Sequence, residues 1–410
     1  MKAALAFSKS YVLLLSVLVL HPTLTFAQHY KQTNLVTDLA SGATFTNDAN
    51  LKNPWGLARS NTSPWWVADN GAGVSTLYDG TGAKRALIVQ IPGPNGTVPC
   101  PVGGPVTPSC FVASPTGVVF NGSPDFKLSP TGPAALFIFV TEDGTISAWA
   151  GGAVATLKVD HSATPTAAEG AVYKGATIGE VDGKRYLYVA NFRSGQIEVY
   201  DTNFSQVHFS NGNGEGRGEG EDNFNDSHVP KGFAPFNVQN VGGSLFVTYA
   251  KQNAEKHDDV AGAGFGFVDL FSPSGELLTR FEHGPWLNSP WGVAWTPRDF
   301  GEFSNSILVG NFGSGQIAAY NGFTGKFIGM MLDQNGQTLT INGLWALAFG
   351  NSAAGCPSTP PPGSGLPTCG AAGPYNSLFF TAGINDEADG LFGTLTPDPN
   401  TNELREGDEL

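Results

Sequence analysis

The sequence predicts an all-β fold, a six-bladed β-propeller forming one domain over residues 28–410. Three observations predict it. First, near-identical phrases recur: "VANFRSGQIEVY" (Val189–Tyr200) and "VGNFGSGQIAAY" (Val309–Tyr320). Second, Gly is abundant, at 54 of 410 residues, and charged residues make up only 14%. That composition suits many short strands joined by tight turns. Third, five repeat units carry an outer strand that the sixth lacks, and the other end of the chain offers a replacement.

Five of the six units open on a related phrase. "NPWGLA" (Asn53–Ala58) and "SPWGVA" (Ser289–Ala294) are the clearest, with "SPTGVVF", "APFNV" and "NGLWALAF" as weaker versions. An apolar second strand and a polar hairpin follow: "WWVADNGAG", "LFIFVTEDG", "LYVANFRSG", "LFVTYAKQN", "ILVGNFGSG" and "LFFTAGIND". A third strand comes next, such as "QIEVYD" or "QIAAYN". The units are spaced roughly 50–60 residues apart, a period typical of repeat architectures. Short alternating strands with Gly, Asn and Asp at the turns read as antiparallel meanders. Meanders repeated radially make a propeller. Units one to five continue into "ALIVQIP", "VATLKVD", "SQVHFS", "LLTRFEH" and "KFIGMML". After Leu395 only a polar tail remains, whereas "QTNLVTDLA" (Gln32–Ala40) precedes unit one and resembles those outer strands. The N-terminal strand is therefore expected to complete the sixth blade, which would protect an otherwise unpaired edge.

Residues 1–27 have the layout of a secretory signal peptide. Lys2 and Lys9 precede an apolar run, and Thr25-Phe26-Ala27 offers a cleavage site. The mature protein is expected to be secreted. Cys100 and Cys110, and Cys356 and Cys369, form two local pairs in Pro/Gly-rich sequence. Four cysteines allow three connectivities. The expectation is local pairing, each staple contributing roughly 2–3 kcal/mol. Neither pair has zinc-ligand spacing. Asn61, Asn95, Asn121, Asn203 and Asn225 each begin a glycosylation sequon. The terminal "GDEL" resembles retrieval signals ending in DEL, with Gly407 where those carry a basic residue or His.

A net charge of −14 argues against nucleic acid or an anionic membrane as partner, since both select basic patches. No long apolar stretch follows the leader, so no membrane insertion is expected. A small molecule, a glycan or an extracellular protein remains as the expected partner. Nucleotide and hydrolase motifs are missing. The acidic, Gly-rich stretch Asn211–His228 lacks the Lys of a phosphate loop.

Three runs carry a family resemblance: "AKQNAEKHDDVAGAGFGFVDLF" (Ala250–Phe271), "LNSPWGVAWTPRDFGEFSNSILVGNFGSGQI" (Leu287–Ile317) and "TAGINDEADGLFG" (Thr381–Gly393). They resemble a secreted, uncharacterised family of NHL-like six-bladed propellers, a type also found among bacterial proteins sorted by PEP-CTERM signals. The resemblance implies fold and export. It implies no chemistry.

In a propeller the second-to-third hairpins and the segments that enter each blade share one face. That face gathers Asp69, Asn70, Glu142, Asp143, Asn191 and Asn311, most of which suit plain turns because Asn and Asp tolerate positive φ. Units four and six depart from the pattern. Their hairpins hold Lys251 with His257, Asp258 and Asp259, and Asn385, Asp386, Glu387 and Asp389. Convergence of these residues at the channel mouth would form a binding site, with Asn191 and Asn311 beside it. Asp258, Asp259, Asp386 and Glu387 would suit a hard cation such as Ca²⁺. His257 would serve as base or ligand. Trp55, Trp291 and Trp345 occupy equivalent first-strand positions, as inter-blade packing or as a floor under a ligand. The first expectation is a secreted binding or scaffold propeller with a ligand or ion site at the channel mouth. The alternative is an enzyme at the same face, an ion-dependent lactonase or other hydrolase, a lyase, or a strictosidine-synthase-like catalyst, and that alternative rests on fold analogy.

Overall fold

Tight turns and short apolar strands build six antiparallel sheets arranged as the blades of a propeller. The computed structural model describes residues 29–43, 46–97, 99–101, 104, 107, 110–209, 224–352 and 370–398. The leader, the Cys356–Cys369 pair, most of the acidic Gly-rich stretch and the terminal GDEL lie outside the described residues. No helix among the described residues is long and apolar enough to cross a membrane.

Blade one comprises Pro54–Ala58, Trp65–Asp69, Val74–Tyr78 and Val89–Gln90. Blade two comprises Pro115–Phe120, Phe137–Thr141, Thr145–Trp149 and Thr156–Asp160. Tyr173–Val181, Lys184–Asn191, Gln196–Tyr200 and Gln206–Val207 form blade three. Phe233–Val241, Ser244–Lys251, Gly266–Phe271 and Leu277–Arg280 form blade four. In blade five the strands are Pro290–Trp295, Ile307–Asn311, Ile317–Tyr320 and Phe327–Met330. Blade six takes Leu344–Phe349, Leu378–Ile384 and Asp389–Pro397 in chain order.

The strand beside Asp389–Pro397 comes from the other end of the chain. His29–Thr37 runs antiparallel to it, with Gln32 opposite Leu395 and Thr37 opposite Leu391. Tyr30 anchors this strand: it is 1% exposed, its hydroxyl donates to the Phe300 carbonyl at 2.9 Å, and its ring lies 5.0 Å from that of Phe300. Leu35 and Val36 are buried against Trp65, Tyr78 and Phe392, which ties blade six to blade one.

All six first strands break register at the same place, just after their first paired residues. The break falls after Pro54, Pro115, Tyr173, Pro235, Pro290 and Leu344. A bulge re-aims the next side chain. Those next residues are Trp55, Thr116, Lys174, Phe236, Trp291 and Trp345. Three of them stack at the axis. The Trp55 and Trp345 rings lie 3.4 Å apart at 19°, and Trp291 meets them edge-on at 6.2 and 5.9 Å. Phe236 closes the cluster, 5.8 Å from Trp345. The Gly that follows Trp in "PWG" has a steric cause. A Cβ on Gly56 would lie 2.4 Å from the Thr116 carbonyl oxygen, and one on Gly292 would lie 2.5 Å from that of Trp345. Neighbouring blades approach too closely there for any side chain.

Cys100 and Cys110 form a disulfide with their Cα atoms 4.7 Å apart. The Asn121 sequon is structural in this fold. Its side chain is buried and donates to the Asp125 and Ala135 carbonyls at 2.9 and 2.8 Å, which leaves no room for a glycan.

Deleting His29–Thr37 is expected to expose one edge of blade six and remove the buried apolar side chains of Tyr30, Leu35 and Val36, at a cost of roughly 5 kcal/mol or more. Calorimetry would register a much lower melting temperature. An unchanged melt would mean that this strand is dispensable.

Candidate functional site

Lys174 is the one charged member of the axial set, and it is 1% exposed. A buried ammonium costs several kcal/mol unless it is paired. Its ion-pair partners are carboxylates from the hairpins of the two flanking blades. Nζ contacts Glu142 Oε1 closely and lies 3.5 Å from Asp258 Oδ1. It also sits 5.1 Å from the Trp55 ring and 5.8 Å from that of Phe192. Cation–π attraction at a desolvated site adds about 2 kcal/mol. The aromatic cluster thus serves as the floor on which the cation is held.

Around this pair the hairpin face builds a continuous polar network. Asn70 Nδ2 donates to Glu142 Oε2 at 2.8 Å. Asn53 Nδ2 donates to Glu387 Oε2 at 2.6 Å, while its Oδ1 accepts from Trp345 Nε1 at 3.1 Å. His257 Nδ1 shares a hydrogen bond of 2.8 Å with Asp258 Oδ1. The ligand atoms of Glu142, His257 and Asp258 lie within 4.8 Å of one another, the spacing of a metal-ligand group.

Carboxylates outnumber cations here, and their proton affinities register it. Burial pushes the Asp143 carboxyl up to about 6, with the charge of Glu142 adding to the rise. Burial also raises Glu387, with Glu142 and Asp259 repelling its charge. Asp259 is raised mainly by burial, with Asp258 adding repulsion. Asp258 goes the other way. Its hydrogen bond with His257, aided by Lys174, holds it down at about 2.

The blade-six hairpin is strained. Asn385, Asp386 and Glu387 all have left-handed backbone, at φ of 55°, 53° and 65°. A non-glycine residue in that region costs roughly 1–2 kcal/mol. The turn carries Glu387 back to Asn53, whereas ordinary hairpins of this fold use Gly144, Gly195 or Gly315 at the left-handed position.

Of the residues in the two special hairpins, the structure links His257 to Asp258, Asp258 to Asp259 and Asp259 to Glu387 through successive electrostatic interactions. It places the other candidates elsewhere. Lys251 lies 4.0 Å over the Phe265 ring. Asp389 pairs with Lys52 at 3.2 Å and accepts from Asn385 at 2.9 Å, outside the network. Asp386 is exposed at the hairpin tip. Asn191 and Asn311 are buried turn residues. Asn191 donates to Glu198 Oε1 at 2.6 Å and accepts from the Val172 amide. Asn311 accepts from the Asn288 amide at 2.9 Å and donates to the Gln316 carbonyl at 3.0 Å. Both are excluded from solvent, so neither is available to a ligand in this structure.

Sequence reasoning missed Lys174, Asn53 and the central position of Glu142. A signal existed. "VYKGAT" is the first strand of unit three, and its Lys stands where the other openings carry Trp, Thr or Phe. The substitution hid the repeat phrase and the site residue together.

No family model matches the chain. It is 27% identical over 378 residues to an uncharacterised protein, R648, of Acanthamoeba polyphaga mimivirus, covering 90% of this chain and 80% of that protein. A second uncharacterised mimivirus protein, L690, is 26% identical over 369 residues, covering 86% of this chain and 82% of its own length. Among solved structures, a streptogramin B lyase is similar at a TM-score of 0.45 and 13% identity, covering 90% of this chain and 98% of that one. The PQQ-bound aldose sugar dehydrogenase of Streptomyces coelicolor is similar at 0.42 and 13%, covering 90% and 99%. These structural likenesses are too distant to lend their chemistry to this chain.

Two outcomes test the electrostatics. Glu142→Gln leaves the buried Lys174 ammonium with only the longer Asp258 contact and is expected to cost up to about 3–5 kcal/mol. Adding Lys174→Met should recover most of that loss in denaturant melts, and additive losses would refute the pairing. The second test is pH. Asp258 titrates lower folded than unfolded, so its contribution holds above about pH 4 and is lost as pH falls toward 2. Asp143 titrates higher folded, so it lowers stability as pH rises from about 4 to 6. Asp143→Asn should flatten that decline and melt above the parent at pH 7.

Proposed function

We propose that this chain is an exported binding propeller whose hairpin face takes a small cation, a divalent metal ion or an organic amine. One observation carries the reading. Three half-buried carboxyls, Asp143, Asp259 and Glu387, are raised around a network whose only buried cation among the described residues, Lys174, is already paired with Glu142. A bound cation would supply the missing charge. The strained blade-six turn supports the same reading, since strain of this kind concentrates at ligand sites. Glu142, His257 and Asp258 provide oxygen and nitrogen donors for a metal, and Ca²⁺ is the hard-ion candidate. Export is supported by the leader-like residues 1–27 and by the Cys100–Cys110 bridge, which suits an oxidising compartment.

A second reading, catalysis at the same face, has one observation of its own. Asp143 titrates near 6 beside His257, a value suited to proton transfer near neutrality. Turnover of a lactone or another acid/base substrate would then show a limb near pH 6 that disappears in Asp143→Asn.

Melting curves distinguish the cation classes. A bound cation stabilises the folded state by linkage, by about 2.7 kcal/mol at a hundredfold excess over Kd. CaCl₂ and 1,5-diaminopentane, each against a chelated, amine-free control, represent metal and amine. One of them is expected to raise the melting temperature. Asp259→Asn with Glu387→Gln should abolish that rise while leaving the unliganded protein as stable as the parent or more so, because repulsion is relieved. Coincident curves under all conditions would refute the cation reading.

A further inference from the structure

The channel has a second end. Opposite the hairpins, the first strands of all six blades open into a funnel of about 320 Å³, walled by residues such as Leu57, Val118, Ala176, Gln239, Val293 and Leu347. Trp291, from the aromatic cluster, lines its narrow neck. Most of its lining side chains are aliphatic or aromatic, while backbone polar groups of the first strands make up the larger part of the exposed wall. At its rim Trp295 is 39% exposed and lies 5.9 Å from the ring of Phe323, which is 81% exposed. Exposed aromatics beside a cavity of mixed lining, apolar side chains with convergent polar groups, are a common setting for ligand entry.

One charged side chain lines this funnel, and it is Arg59. Its Nε donates to the Phe349 carbonyl at 2.7 Å and Nη2 to that of Gly350 at 2.9 Å. Nη1 has only the Ser60 carbonyl, at 3.5 Å. The guanidinium lies 5.5 Å from the Trp65 ring. Among the described residues no carboxylate pairs with it, and burial alone pulls its pKa down to about 10. Backbone carbonyls fix its orientation without neutralising it. A guanidinium stays charged in proteins, so the charge is held in place, partly desolvated and uncompensated.

We propose that this funnel binds a small amphipathic anion, with its apolar body on Leu57, Val118 and Leu347 and its charged group on Arg59. The site is independent of the hairpin face, because the aromatic cluster separates the two.

Fluorescence titration of the mature protein tests this with two probes of similar apolar body. One is 8-anilinonaphthalene-1-sulfonate, which is anionic, and the other is N-phenyl-1-naphthylamine, which is neutral. The anionic probe is expected to bind one saturable site at least about tenfold more tightly than the neutral one, a difference of about 1.4 kcal/mol. Arg59→Met should remove that preference and leave the neutral probe unchanged. Arg59 also bonds to blade six, so Gln239→Glu serves as a second variant: a carboxylate in the wall should weaken the anionic probe about tenfold and spare the neutral one. Equal affinity for the two probes, or an anionic-probe affinity unmoved by both variants, overturns the proposal.

Discussion

Six strands must converge on one axis, and everything else in this fold follows from how the axis is filled. Each first strand bulges at the same residue, and the bulge decides what occupies the centre. Trp55, Phe236, Trp291 and Trp345 fill most of it. Large flat rings suit the task because stacked and edge-on contacts pack a space that has no regular strand pairing. The neighbouring glycines let the blades close around them. Thr116 bonds across to the Tyr173 carbonyl at 2.7 Å and completes the seam between blades two and three.

Lys174 breaks this apolar rule at one blade in six. An apolar or hydroxyl residue would have met the packing requirement, as it does in the other five blades. The Lys instead demands a carboxylate from each flanking blade, and it receives Glu142 and Asp258. Hairpin conformation is then subordinate to charge. Asp258 needs the long loop of blade four, and Glu387 needs three successive left-handed residues to reach Asn53. The left-handed turn and the cluster of carboxylates thus meet at one face of the propeller, in an arrangement that the repeat itself does not require.

The blades were legible in the sequence because turn chemistry and period-two apolar patterning are local. Gly at the left-handed hairpin positions and Trp-Gly at the bulge mark the repeat directly. The site was legible only in part. His257, Asp258 and Glu387 stand out because their hairpins are too rich in ionisable groups for a turn. Lys174 does not, because its meaning depends on register: only the bulge places it at the axis rather than on a strand face. Asn191 and Asn311 show the converse limit. Each looks like a site residue from its place in a hairpin, yet each is consumed by backbone groups three or five residues away and in the preceding loop, and Asn191 also by the Glu198 carboxylate. Asp389 was drawn off by Lys52, a partner distant in sequence.

The pairing of His29–Thr37 with Asp389–Pro397 also sets the order of events during synthesis. The strand made first has no partner until the last blade emerges. Five sheets can form from contiguous sequence while the chain is still being made. The sixth waits for the whole chain, and until then the Tyr30 pocket between Phe300 and Phe303 stays open. The nascent protein therefore passes through a stage with one loose apolar strand and one open sheet edge. That stage is the one at which chaperones would engage it and at which neighbouring copies would exchange strands.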